Sequence, residues 1–123
     1  MEYHVVDPDD LEPLPDRPSE TRSISDAADL ETLGVRLYRV EPGEDIPLTG
    51  LHYHEQQEEL FYVLSGQLRV ETPGTEFALD PGEVFVAHPE SPHRVFNDAD
   101  ATADVHVLAV GAPSISDGHP YEE

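Results

Sequence analysis

Between Val35 and Val110 the chain is broken into short alternating segments, each ended by glycine, proline or polar turn residues. This punctuation limits the fold more than any other feature. "VRLYRV" (35–40) alternates, and "EPGEDIPLTG" (41–50) reads as a loop. "LHYH" (51–54) reads as a strand, "EQQE" as a turn, and "ELFYVLSG" (59–66) as a strand ending on glycine. "QLRVET" (67–72) follows at once, which predicts a tight hairpin around Ser65-Gly66. "PGTEFALDPG" (73–82) gives turn, short strand and turn, and "EVFVA" (83–87), "HRVFN" (93–97) and "ADVHVLAV" (103–110) complete the set. A period of two, with turn signals about every 8 to 12 residues and no helical pattern, predicts an all-β sandwich or barrel.

The flanks differ from this middle. Four prolines among the first eighteen residues argue against a helix and predict an extended arm, residues 1–34, with a first edge strand. Within it "SDAADL" (25–30) has the form of one helical turn capped by Ser25. Residues 111–123 form a polar tail, expected to hug the surface or fray. The 123 residues suffice for one domain with a core of its own.

Twenty-seven acidic residues stand against six basic ones, all arginine, for a net charge of −21. Nucleic acid and anionic membranes are excluded as partners, because their phosphates carry the same sign. Leu, Ile, Val and Phe still make up about a quarter of the chain, above the roughly one-fifth of disordered chains. A folded, acidic, lysine-free chain fits a salt-rich cytoplasm such as that of a halophilic archaeon, where screening relieves self-repulsion. There is no apolar run near 18 residues and the N-terminus is acidic, so a soluble, cytoplasmic protein is expected. With no cysteine, any transition metal has to be held by His, Asp or Glu.

His52 and His54, one residue apart on a strand, point to one face, and Leu51 and Tyr53 take the other. Glu59 opens the next strand on the face of Phe61 and Val63, whereas Glu58 falls with Leu60, Tyr62 and Leu64. A short turn returns Glu59 to the histidine pair. His93 shares a face with Val95 and Asn97, on a strand that can lie across from the first hairpin. Three imidazoles and one carboxylate suit one divalent transition ion per chain (Fe, Mn, Ni, Co or Zn) with one or two positions open. A slip of one residue would put Glu58 in place of Glu59. The plainer alternative is a barrel that binds an organic ligand without metal.

These residues and spacings resemble a cupin of the small single-domain type, the cupin 2 conserved barrel. The first cupin motif reads G-x5-H-x-H-x3-4-E-x6-G, and His52, His54, Glu59 and Gly66 match its second half. Gly43 leads it with eight residues rather than five before His52. The second motif reads G-x5-P-x-G-x2-H-x3-N; Gly82, His93 and Asn97 match, with His88 in place of proline and Glu90 in place of glycine. The resemblance spans roughly residues 35–110. It implies a double-stranded β-helix, or jelly-roll barrel, a metal held by His52, His54, Glu59 and His93, and a homodimer. Cupins include dioxygenases, decarboxylases, isomerases and non-catalytic binding proteins, and fold does not choose among them. The expectation is a metal-dependent enzyme acting on a small polar carboxylate- or carbonyl-bearing molecule. The alternative is a non-catalytic sugar- or metabolite-binding or sensor cupin. No residue stands out as a dedicated general base.

The remaining polar groups are read as structural. His88 is a rim residue. His106, with Leu108 and Val110 on its face, is either a hydrogen-bonded core histidine, the favoured reading, or a group close to the pocket. His4 and His119 are solvated, and Tyr53 and Tyr62 pack. Arg36, Arg69 and Arg94 pair with surface carboxylates rather than grip an anionic substrate.

Overall fold

The computed structural model describes residues 1–122. After a 3-10 turn at Pro8–Asp10 come β1 (Glu20–Ser23), α1 (Ile24–Ala28), β2 (Gly34–Val40), β3 (Asp45–Ile46) and β4 (His52–His54). Then follow β5 (Glu58–Ser65), β6 (Leu68–Thr72), β7 (Thr75–Leu79), β8 (Val84–Ala87), β9 (Arg94–Phe96), β10 (Val105–Ala112) and β11 (Gly118–Pro120). One sheet has the order β1-β2-β10-β5-β8, the other β3-β9-β6-β7. A ribbon of β4 and β11 is tied to the second sheet by a bridge between His52 and His93. The result is an all-β, double-stranded β-helix barrel.

The period of two places the core. Along β5, Glu59, Phe61 and Val63 are buried while Glu58, Leu60, Tyr62 and Leu64 face out. Along β10 the inward set is Val105, Val107, Ala109 and Gly111. These meet Val40, Ile46, Leu68, Val70 and Val95, all without exposed surface. Burial of each such side chain stabilises the fold by about 1.5–3 kcal/mol. The outer face of β5 and β8 is apolar too, with Leu60, Tyr62, Leu64, Val84 and Val86 partly exposed.

Several expectations change. The hairpin around Ser65-Gly66 does not form, because β5 and β6 belong to different sheets. Gly66 instead turns the chain from one sheet to the other at φ 78°, and a Cβ there would lie 2.5 Å from the Asp104 carbonyl oxygen. The hairpin forms one strand later, between β6 and β7 across Pro73-Gly74. Ser23, not Ser25, caps α1 by accepting from the Asp26 N–H at 3.2 Å. Ser25 is buried; its one hydroxyl hydrogen has the Leu33 and Val35 carbonyls in reach, at 3.1 and 3.2 Å, and its oxygen accepts from the Val35 N–H. His106 is not in the core: the inward register belongs to Val105 and Val107, so His106 faces out and bonds Ser65 at 2.8 Å. The polar tail also contains a strand, since β11 pairs with β4, whereas β1 is the edge strand expected within residues 1–34.

Candidate metal centre

Two sheets supply the four groups. His52 and His54 alternate inward on β4, and paired N–H···O bonds between His52 and His93 (3.0 and 2.9 Å) set His93 beside them. His93 is thus a neighbour of the pair rather than a group from across the barrel. Glu59 crosses over from the opposite sheet through the turn at residues 55–57. The inward alternation of β5 selects Glu59; Glu58 is exposed and faces His88 at 3.8 Å. One ligand atom from each of His52, His54, Glu59 and His93 lies within 4.8 Å of all the others, and all four residues are buried.

The outer nitrogens decide the tautomers. His52 Nδ1 lies 3.1 Å from the Gly50 carbonyl oxygen and His93 Nδ1 lies 2.8 Å from that of Ser91. A carbonyl oxygen only accepts, so both Nδ1 atoms carry the proton. His54 Nδ1 likewise donates to the Asp117 carboxylate at 2.9 Å. With Nδ1 so engaged, each ring turns its Nε2 inward, the nitrogen through which imidazole can ligate a metal. His54 Nε2 and His93 Nε2 stand 2.8 and 2.9 Å from the same Glu59 oxygen. His52 Nε2 is buried and has no hydrogen-bond partner. Lone pairs and a carboxylate crowded out of water need a cation among them, and the donor set fits a borderline divalent ion.

The charges follow from the same contacts. Burial pushes the Glu59 carboxyl up, but the His54 and His93 rings against it outweigh burial and hold it at about 2. Burial drives His52 down, which keeps its lone pair free. For His54 burial acts downward too, and the Glu59 and Asp117 carboxylates overcome it and raise the ring. Beside His54 and Glu59 opens a cavity of about 370 Å³ whose wall also includes Arg17, Arg36, Tyr38 and Gln57. On the other side, the Phe61 and Phe85 rings lie 6.2 and 5.9 Å from His93 and close the barrel with apolar surface.

The family model of the cupin domain matches residues 36–111. The chain is a cupin. It is 32% identical over 124 aligned residues to polyketide synthase CurC of Streptomyces cyaneus, covering 97% of this chain and 77% of that one. Quercetin 2,3-dioxygenase of Bacillus subtilis is 38% identical over 60 residues, 49% of this chain but only 18% of the enzyme's length. The polyketide cyclase RemF of Streptomyces resistomycificus superposes with a TM-score of 0.81 at 18% identity, covering 99% and 87% of the two chains. At that identity the superposition speaks for the fold alone.

Within this cupin the departures from the second motif are tolerated locally. Glu90, in the glycine position, keeps the left-handed backbone that glycine would supply, at φ 64°. Its N–H donates to the His54 carbonyl oxygen at 2.6 Å, which ties the loop to β4. His88 is exposed and lies away from the four ligands. Asn97 donates to the Val40 and Ala103 carbonyls at 3.0 and 2.9 Å and acts as a latch between segments. Arg69 and Arg94 pair with carboxylates as expected, Arg94 meeting both oxygens of Asp45 at 3.0 Å. Arg36 does not, among the described residues. His119 is half-buried against the Tyr53 ring and near Glu55. Sequence reasoning missed Asp117, Tyr38, Arg17 and Gln57. Only Tyr38 left a trace, sharing the inward face of β2 with Arg36 and Val40.

Proposed function

We propose that this cupin is a metal-dependent enzyme acting on a small, polar carboxylate- or carbonyl-bearing molecule. His52, His54, Glu59 and His93 would hold one divalent transition ion, iron, manganese, nickel, cobalt or zinc. The observation that carries the reading is three imidazoles, their Nδ1 atoms engaged outward, gathered with one buried carboxylate within 4.8 Å beside an open cavity. An ion held there would supply Lewis acidity to a substrate oxygen reaching it from the cavity. The chain's own groups do the rest. Gly50, Ser91 and Asp117 orient the rings, and Phe61 and Phe85 keep water from the side opposite the substrate. One relative, CurC, is named for polyketide synthesis, and a polyketide is carbonyl-rich, which supports a carbonyl-bearing substrate.

One observation favours a binding or sensor role instead. The carboxylates on the cavity wall, Glu59 and Asp117, are both engaged by histidine, which leaves no spare carboxylate base there among the described residues.

The test is elemental analysis of protein purified in high salt, with the His52→Ala/His54→Ala double variant alongside. About one ion per chain is expected, lost in the variant. No ion in the native protein, and none taken up on soaking, overturns the reading. With metal present, Glu59→Gln that keeps the fold but loses turnover speaks for the enzyme. A tightly held metabolite and no turnover speak for the sensor.

A further inference from the structure

Four of the six arginines sit beside carboxylates. Arg22 lies near Asp9 and Glu20, Arg39 near Glu20 and Asp104, Arg69 on Glu76 and Asp98, and Arg94 on Asp45. Arg17 and Arg36 make no ion pair among the described residues, although acids outnumber arginines 27 to 6. Both line the cavity of about 370 Å³ that reaches His54 and Glu59. In so acidic a chain, two unpaired guanidiniums on one wall are not the outcome that surface charge alone would give.

The sheet register explains why that wall is open. Gly34 pairs with Gly111, which pairs with Glu59; the next inward row is Arg36, Ala109 and Phe61. Gly34, Gly111 and Ala109 have little or no side chain, and the Gln57 amide lies over Gly111, 2.7 Å from where a Cβ would stand, so small residues and one neutral amide floor the space between Arg36 and Glu59. Tyr38, the next inward residue of β2, is buried and also lines the cavity. Burial raises its pKa, so the phenol keeps its proton and offers a hydrogen bond. Asp117 is taken up by His54 and by the amides of Gln56 and Gln57. The wall thus carries two guanidiniums and a phenol, and its own carboxylates are engaged elsewhere.

We propose that this cavity is an anion clamp: Arg36 and Arg17 hold the carboxylate or phosphate group of a small ligand whose other end reaches His54 and Glu59. The proposal rests on the reading of the four-residue group as a metal centre. Guanidinium matches both oxyanions through paired N–H donors, and the cavity has the size of a small-metabolite site.

The test titrates zinc-loaded protein with succinate and, separately, with inorganic phosphate, following the arginine Nε–H resonances. Metal content is measured on every sample. The Arg17 and Arg36 resonances are expected to shift. Arg36→Met weakens binding by about tenfold or more, Arg36→Lys recovers part of it, and Arg17→Met, on the exposed arm, weakens it less. All three keep the wild-type metal content. Tighter succinate binding points to a carboxylate ligand, tighter phosphate to a phosphate ester. Wild-type affinity for both anions in folded, zinc-loaded Arg36→Met and Arg17→Met proteins overturns the clamp and leaves the metal centre standing. Wild-type protein that takes up neither zinc nor iron, manganese, nickel or cobalt overturns the metal reading instead, and the arginine shifts of that metal-free protein still decide the clamp.

Discussion

Glu90 shows how a single residue can break a motif and keep its geometry. A left-handed backbone costs an L-residue roughly 1–2 kcal/mol relative to glycine, yet the turn is held here by the bond from Glu90 N–H to His54. Glu90→Gly is therefore expected to raise stability by about 1 kcal/mol, with no change in metal content. Chemical denaturation checks it; an unchanged or lower midpoint would mean that the Glu90 side chain contributes as much as its backbone costs. The same scale explains which site residues were legible. His52, His54 and Glu59 could be assigned to faces because strand alternation is a local property of the backbone. Tyr38 and Arg36 alternate just as clearly, but nothing local tells an inward arginine from a surface one.

At the scale of elements, β11 is the lesson. Its segment looks like a polar tail because it is short, rich in glycine and proline, and lacks an apolar face of its own. Pairing with β4 makes it a strand, and the turn before it delivers Asp117 to His54 across 63 residues of sequence. Asp117 also accepts from the Gln56 and Gln57 amides, so it fixes both the ring and the turn that carries Glu59 inward. Asp117→Ala is expected to weaken metal binding by about 10- to 100-fold while leaving the far-UV circular dichroism unchanged. A competition titration against a chelator of known affinity measures this, and wild-type affinity would reduce Asp117 to a surface latch. The failed hairpin at Ser65-Gly66 belongs to this scale as well. Two strands joined by a tight turn pair in the simplest arrangement. Here the glycine serves a corner, because the Asp104 backbone closes in where a side chain would stand.

For the whole molecule the dominant quantity is charge. A net −21 on 123 residues works against compaction, and four arginines are already spent on local pairs. The repulsion acts over about 10 Å at 0.1 M salt and about 3 Å at 1 M. Raising potassium chloride from 0.1 to 2 M is expected to lift Tm by about 10 °C, the equivalent of a few kcal/mol for a domain of this size. A flat or falling Tm would show that the carboxylates are placed far enough apart to be harmless. The sequence alone determined the all-β class, most strand segments between residues 35 and 110 and the inward faces of His52, His54 and Glu59, because turn chemistry and alternation act between neighbours along the chain; it missed β3 and β11, which only their partner strands define. Which strands share a sheet, where His93 lies, how Asp117 supports His54 and why Arg17 and Arg36 meet at one cavity were decided by tertiary structure. Those relations depend on closing the barrel, and closure joins residues whose separation along the chain carries no local signal.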